Sequence, residues 1–111
     1  MQTDPKLGIK YDGGKPDWSL LPFREMTEVI KVLTVGAKKY SPSNWMYVQP
    51  AQERYSAAAL RHISARMQGD IYDQETGLPH LAHGICCLLF WMWHDKEKEL
   101  EDEKKDKLPS V

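Results

Sequence analysis

Residues 81–93 restrict the possible folds of this chain more than any other segment. Apolar side chains follow one another there with few interruptions, so a helix through the segment is apolar nearly all round. Such a helix must be covered on every side, and the two other helices that the chain offers cannot cover it completely. The segment is also too short to span a bilayer. We therefore expect a small all-α domain that completes its helical bundle by oligomerisation.

Composition and charge are those of an ordinary soluble protein. The 111 residues fit one domain, and 41% hydrophobic with 28% charged residues is typical of a globular chain. The net charge of -1 argues against a nucleic-acid partner, which would require a basic patch. Cys86 and Cys87 are adjacent within an apolar run and indicate buried thiols in a reducing compartment. With no secretory signal or membrane span in view, we expect a cytoplasmic protein, in its own cell or in an infected host.

Prolines and glycines mark the boundaries of three predicted helices. The first begins at Pro22 and ends near Lys39, and the second runs from about residue 51 to residue 67, with Gly69 as its stop. The third begins at Pro79, and the charged run 95–107 prolongs it into solvent. We predict a single domain over 1–111, with a Gly- and Lys-rich arm over 1–21, a helical core over 22–94 and a charged tail over 95–111.

The first two helices have recognisable faces. Apolar residues spaced three and four apart predict one apolar face on the first helix, formed by Phe23, Met26, Ile30, Leu33 and Ala37. The second helix has an apolar stripe beside a stripe that mixes aromatic and cationic groups. The apolar stripe consists of Ser56, Leu60, Ile63 and Met67, and the mixed stripe of Tyr55, Ala59, His62 and Arg66.

The connection between the second and third helices holds the densest set of potential metal ligands. Asp70 and Asp73 are three residues apart where the second helix closes, and His80 and His83 share one face at the start of the third. The two pairs can converge across the loop and hold a divalent cation. Carboxylates favour magnesium, whereas imidazoles favour manganese or another transition metal. Taken singly, each residue is more often a helix cap or a hydrogen-bonded histidine than a metal ligand.

Cationic and aromatic side chains suggest a nucleotide site. Lysine and arginine can neutralise phosphates, and tyrosine or tryptophan rings can stack on a base. The arm contributes a lysine beside glycines that allow a backbone to approach a ligand closely. The predicted nucleotide-binding residues are Lys15, Lys38, Lys39, Tyr40, Asn44, Trp45, Arg54 and Arg61. Their alternative role is that of surface charges and core aromatics.

Seven short motifs resemble a known family when taken together in order. They are Gly14-Lys15-Pro16, residues 36–40, Asn44-Trp45, Arg61-His62, Gly69-Asp70, residues 73–77 and residues 80–83. With these motifs the chain resembles the dATP/dGTP diphosphohydrolase N-terminal domain family, the MazZ-like proteins of phages. The resemblance covers the chain from about Lys10 to Trp93.

The resemblance implies a fold and a reaction. The fold would be related to the MazG-like all-α pyrophosphatases, which form dimers or tetramers and use magnesium or manganese. The reaction would cleave a purine deoxynucleoside triphosphate to the monophosphate and pyrophosphate. The metal ligands are then expected among Asp70, Asp73, Glu75, His80 and His83, and the catalytic residues are expected to be His62, Asp70 and Asp73.

The acidic residues depart from the MazG-type pattern. The chain contains no Glu-Glu pair, and Asp70 stands where the family usually carries Glu. Glu25 and Glu28 are therefore an alternative acidic pair for the metal. The missing pair also leaves open a phage protein that binds or sequesters a nucleotide or cyclic-nucleotide signal without hydrolysing it. A third hypothesis, an accessory protein for single-stranded nucleic acid, is disfavoured by the net charge.

Overall fold

Three α-helices form most of the chain. A computed structural model describes residues 7–107, in which α1 spans Phe23–Lys39, α2 spans Ala51–Met67 and α3 spans His80–Asp106. Short 3-10 helices at Trp18–Leu20 and Asn44–Tyr47 precede α1 and α2. Apart from one isolated β-bridge, residues 7–107 contain no extended pairing, so the all-α prediction is confirmed. Residues 1–6 of the predicted arm and 108–111 of the predicted tail lie outside the described residues.

The helices begin close to the residues that were expected to start them. Pro22, Pro50 and Pro79 each occupy the position directly before the first helical residue. Proline suits a helix start because its missing N–H would have no partner inside the first turn. The charged run continues α3 as far as Asp106, as predicted from its paired charges.

Helix α2 ends in a turn that requires glycine. Gly69 has φ 98°, in the left-handed region that glycine adopts without a steric penalty. The Gly69 amide donates to the carbonyl of Arg66 at 3.1 Å, and the Asp70 amide donates to the carbonyl of Ala65 at 3.0 Å. This pair of bonds is the Schellman closure of a helix C-terminus. It places Asp70 at a defined position beside the end of α2.

The core lies where α3 packs against its two neighbours. Both α1 and α2 contact α3. Val29 and Val32 of α1 are buried against Ala82 and Cys86 of α3, so the seam on α3 is made of small side chains. Burial raises the pKa of the Cys86 thiol to about 12, which keeps it protonated and unreactive at neutral pH.

Many large apolar side chains point away from this core. On α2 the mixed stripe faces α3, with Ala59 buried, whereas Leu60 and Met67 of the apolar stripe are 64% and 82% exposed. On α1, Met26 and Leu33 of the predicted face pack against this core, whereas Phe23 and Ile30 are exposed, since the buried seam follows the valines. Helix α3 is the main helical neighbour of both α1 and α2. It therefore covers only one side of each and leaves apolar side chains on their other sides exposed. Among residues 7–107, no helix is long and apolar enough to cross a membrane.

Candidate functional site

The loop that joins α2 to α3 is held in shape by its own backbone. The Asp73 amide donates to the Leu78 carbonyl at 2.8 Å, and the His80 amide donates to the Ile71 carbonyl at 2.9 Å. Gly77, with φ 71°, donates its amide to the Asp73 carbonyl at 2.8 Å. These bonds fix the backbone of Asp73 and His80 beside the end of α2. The loop therefore presents its side chains from an ordered frame.

Three histidines and two aspartates meet where α2, the loop and α3 come together. We call this group the His/Asp cluster; it consists of His62, Asp70, Asp73, His80 and His83. His62 Nδ1 lies 2.9 Å from His80 Nδ1, and His80 Nε2 lies 3.1 Å from Asp70 Oδ2. The His62 ring stacks on the His83 ring, with centroids 4.7 Å apart and planes 11° apart. The predicted convergence of the two pairs across the loop is present in this structure.

Thr76 connects two members of the cluster and was not singled out from the sequence. Its amide donates to Asp73 Oδ1 at 3.0 Å, and its hydroxyl lies 3.2 Å from the same oxygen. The same hydroxyl lies 2.8 Å from His83 Nε2. The turn with Asp73 is local in sequence, but the contact with His83 exists only in the fold, so no sequence signal identifies the role of Thr76.

Burial favours the neutral form of two of the imidazoles, His62 and His83. Burial lowers the pKa of His62, and the neighbouring His83 and His80 rings lower it further. Burial also lowers the pKa of His83, against the opposing influence of the Asp73 carboxylate. For Asp73 partial burial acts to raise the pKa, but the hydrogen bonds from Thr76 and the charge of His83 outweigh it and lower the pKa. At neutral pH the cluster thus offers unprotonated nitrogens next to an ionised carboxylate.

Three members of the cluster have the geometry to hold one metal ion. His62, Asp73 and His80 each offer one ligand atom, and these three atoms all lie within 4.8 Å of one another. The 2.9 Å between the two Nδ1 atoms is the length of a hydrogen bond between the rings. Two imidazoles with one carboxylate suit manganese or a similar transition metal better than magnesium.

Comparison with known proteins places the chain in a family. Residues 5–104 match the family described as dATP/dGTP diphosphohydrolase, N-terminal. The chain belongs to this family. A protein of Salmonella phage PMBT28 named dATP/dGTP diphosphohydrolase is 36% identical over 98 residues, which are 88% of this chain and 33% of the relative. The chain thus spans about a third of the length of the relative that it matches. No solved structure matches it.

Two of the predicted phosphate-binding cations of this dATP/dGTP diphosphohydrolase N-terminal family member lie beside the loop between α2 and α3. Lys39 Nζ, at the end of α1, lies 2.7 Å from Glu75 Oε1 and 5.3 Å from the centre of the Tyr40 ring. Glu75 is therefore engaged by a lysine and is not among the three grouped ligand atoms. Arg61 lines an open groove of about 500 Å³ along α2 that also includes Asp70.

No hydrogen bond within residues 7–107 links the remaining predicted nucleotide-binding residues to this loop. The Trp45 ring stacks on Phe90 with centroids 4.7 Å apart, and its carbonyl accepts a hydrogen bond from the Tyr55 hydroxyl at 2.9 Å. Arg54 donates to the Gln49 carbonyl at 3.4 Å. The exposed side chains of Lys15, Lys38 and Asn44 make no hydrogen bond to another residue of the 7–107 segment. Their role toward a nucleotide stays a prediction.

Proposed function

We propose that the chain hydrolyses a purine deoxynucleoside triphosphate to the monophosphate and pyrophosphate, with manganese or magnesium held by the His/Asp cluster. Family membership and the name of the phage relative support the substrate class. The observation that carries the proposal is the group of three ligand atoms, from His62, Asp73 and His80, within 4.8 Å of one another. Because the chain spans only part of the relative, the activity is tested on this chain itself.

The proposed reaction is an attack of water on the α-phosphorus. A new bond forms between the water oxygen and that phosphorus, the bond to the oxygen bridging the α- and β-phosphorus breaks, and pyrophosphate leaves with the electron pair. The bound ion would lower the pKa of water and screen phosphate charge. Among the chain's own residues, His62, Asp73 and His80 would hold the ion. His83, kept neutral by burial, would accept the proton from water while its Nε2 faces Thr76.

Cations near the cluster would bind the departing pyrophosphate. Lys39 is the nearest assigned candidate, because its ion pair with Glu75 places its ammonium at the loop that carries Asp73. Arg61 would act from the groove that ends at Asp70. Lys38 lies in the last turn of α1, next to Lys39, and would add positive charge there. Developing negative charge on a leaving group is stabilised most by cations that are already in position.

A homodimer or homotetramer is the proposed assembly. It is supported by several large apolar side chains of α3 that remain exposed although α3 packs against α1 and α2. These are Leu81, Ile85, Leu88, Leu89 and Met92. Apolar surface of this extent on a soluble helical domain is typical of an interface.

The deciding experiment incubates the purified chain with each of the deoxy- and ribonucleoside triphosphates, with manganese or magnesium. Products are separated by chromatography, and nucleotide binding is measured separately by calorimetry. We expect dATP and dGTP to give monophosphate and pyrophosphate, and chelation of the metal to stop the reaction. Bound nucleotide recovered intact in every case would overturn hydrolysis and support a binding protein.

A further inference from the structure

Asp70 contacts His80 directly, whereas Asp73 belongs to the group of potential metal ligands. Asp73 belongs to the three-residue group with His62 and His80, and His62 Nδ1 lies 2.9 Å from His80 Nδ1. Asp70 Oδ2 lies 3.1 Å from Nε2, on the opposite side of the same ring. Among residues 7–107, His80 is also the polar residue that is buried, with 7% exposure. The two aspartates, which the sequence predicts as ligands of one cation, therefore have different positions.

The bond to Asp70 determines which nitrogen of His80 carries the proton. An ionised carboxylate can only accept hydrogen bonds, so Nε2 must donate and must be protonated. A neutral imidazole carries one ring proton, which leaves Nδ1 with a free lone pair. That lone pair faces His62 Nδ1, which lies 2.9 Å away and donates to it when the His62 proton is on Nδ1. In the neutral ring, Nδ1 is thus unprotonated on the side that faces His62.

The structure assigns Asp70 the role of a positioning residue: we propose that it holds His80 in the Nε2-protonated form, so that Nδ1 is free to bind a divalent cation. A histidine that binds metal commonly donates its other ring N–H to a carboxylate, which fixes the orientation of the ring. The role toward a cation rests on the proposed function. The protonation state of His80 does not, since it is a property of the metal-free protein.

The placement of Asp70 follows from the backbone at the end of α2. Its amide donates to the Ala65 carbonyl at 3.0 Å within the Schellman closure, and Gly69 before it has φ 98°. The position is therefore set before any cation binds. The Asp70 side chain is half-exposed, whereas the His80 side chain is buried. The Asp70 carboxylate therefore lines the surface groove that includes Arg61 and also contacts the buried His80 ring.

The test combines two measurements on metal-free and manganese-loaded protein. Long-range ¹H–¹⁵N spectra of the metal-free chain report which His80 nitrogen is protonated, and calorimetry gives the affinity for manganese alone. We expect protonated Nε2 in the wild type, and a mixture of both forms in Asp70→Ala. Manganese affinity should fall about 10–100-fold in Asp70→Ala. Asp70→Asn, whose amide oxygen can still accept from Nε2, should restore most of the protonation pattern.

The control is Asp95→Ala, which removes an exposed aspartate of α3 outside the cluster and should change neither measurement. Protonated Nδ1 on His80 in the wild type would overturn the proposal, as would an unchanged pattern and affinity in Asp70→Ala. Absence of manganese binding to the wild type would overturn the role toward the cation. Failure of nucleotide hydrolysis with the expected His80 pattern and manganese affinity would instead count against the proposed function alone.

Discussion

At the scale of single residues, the cluster brings three imidazole rings together where α2 meets α3. His62 stacks on His83 and lies within hydrogen-bonding distance of His80. Burial lowers the pKa of His62 and of His83 below the ordinary value, so both rings take up protons less readily in the folded chain. Protonating several rings in contact would also place like charges side by side. Folding thus favours the neutral forms of His62 and His83.

This neutrality predicts a loss of stability in mild acid. The unfolded chain binds protons at its histidines as the pH falls through about 6.5, while the folded rings resist until their own lower pKa is reached. The free energy of unfolding of the metal-free protein should therefore be full above about pH 7 and decrease through pH 6.5 toward 5.5. Urea unfolding at these pH values measures it. A double variant, His62→Gln with His83→Gln, should show a weaker pH dependence; equal stability of the wild type at all three values would contradict the account.

Single residues were also where sequence reasoning reached its limit. Asp70, Asp73 and His80 were identified because carboxylates and imidazoles are rare in such density beside an apolar helix. Which of these side chains contact one another was not predicted, since that depends on the orientation of the rings and on the backbone hydrogen bonds that hold the loop. Thr76 was overlooked for the same reason. Its hydroxyl is an ordinary one until the fold brings Asp73 and His83 to it.

At the scale of elements, the end of α2 positions the cluster, and the glycine there can be tested. Gly69→Ala should lower the free energy of unfolding by about 1–2 kcal/mol, because an L side chain is strained at φ 98°. Gly36→Ala is the matched control, since Gly36 lies inside α1 and an added Cβ would meet nothing within 4 Å. It should stabilise the chain by about 0.5–1 kcal/mol. Equal effects in urea unfolding would show that the turn is not strained.

The bounds of the helices were predictable, but their orientations were not. Pro50 and Gly69 enclose α2 through local chemistry, namely the missing N–H of proline and the free φ of glycine. Which face of α2 is buried depends instead on what packs against it. The stripe with Leu60 had the larger apolar side chains, yet α3 contacts the stripe with Ala59, whose small side chain allows the helices to approach closely.

At the scale of the whole molecule, the chain exposes more surface than a compact monomer of its size. Its accessible surface is 9544 Å², whereas about 6300 Å² is usual for a folded monomer of 12.8 kDa. The radius of gyration is 20.0 Å, against about 13 Å for a compact domain of this length. The long α3 accounts for part of both values. Exposed apolar residues on all three helices show that part of the additional accessible surface is apolar.

Oligomerisation is the prediction at this scale. Light scattering at micromolar concentration should give a mass that is a multiple of 12.8 kDa, two- or fourfold. Leu60→Glu and Leu88→Glu place a charge on exposed apolar faces of α2 and α3 and should shift the protein to smaller species. Gln52→Glu, on an exposed part of α2, should leave the mass unchanged. A wild-type monomer would remove the basis for a shared helical core.

The most direct test of the central claim, that the His/Asp cluster is a metal-dependent nucleotide site, is the Asp73→Asn variant. The change keeps size and polarity but removes the charge that a divalent ion requires. Affinity for manganese should fall by at least about 10–100-fold, since removing even an outer partner costs that much. The matched control is Asp95→Asn, which changes an exposed aspartate of α3 in the same way.

The measurement is the gain in unfolding free energy on adding manganese with dGTP, followed by analysis of the products. At a ligand concentration of about 100 times the wild-type Kd, the wild type and Asp95→Asn should gain about 2.7 kcal/mol. A variant that binds about 100-fold more weakly should gain about 0.4 kcal/mol and form little dGMP and pyrophosphate. If Asp73→Asn kept the full gain and the full rate, Asp73 would only close the loop through Thr76, and the metal site would have to be sought at Glu25 and Glu28.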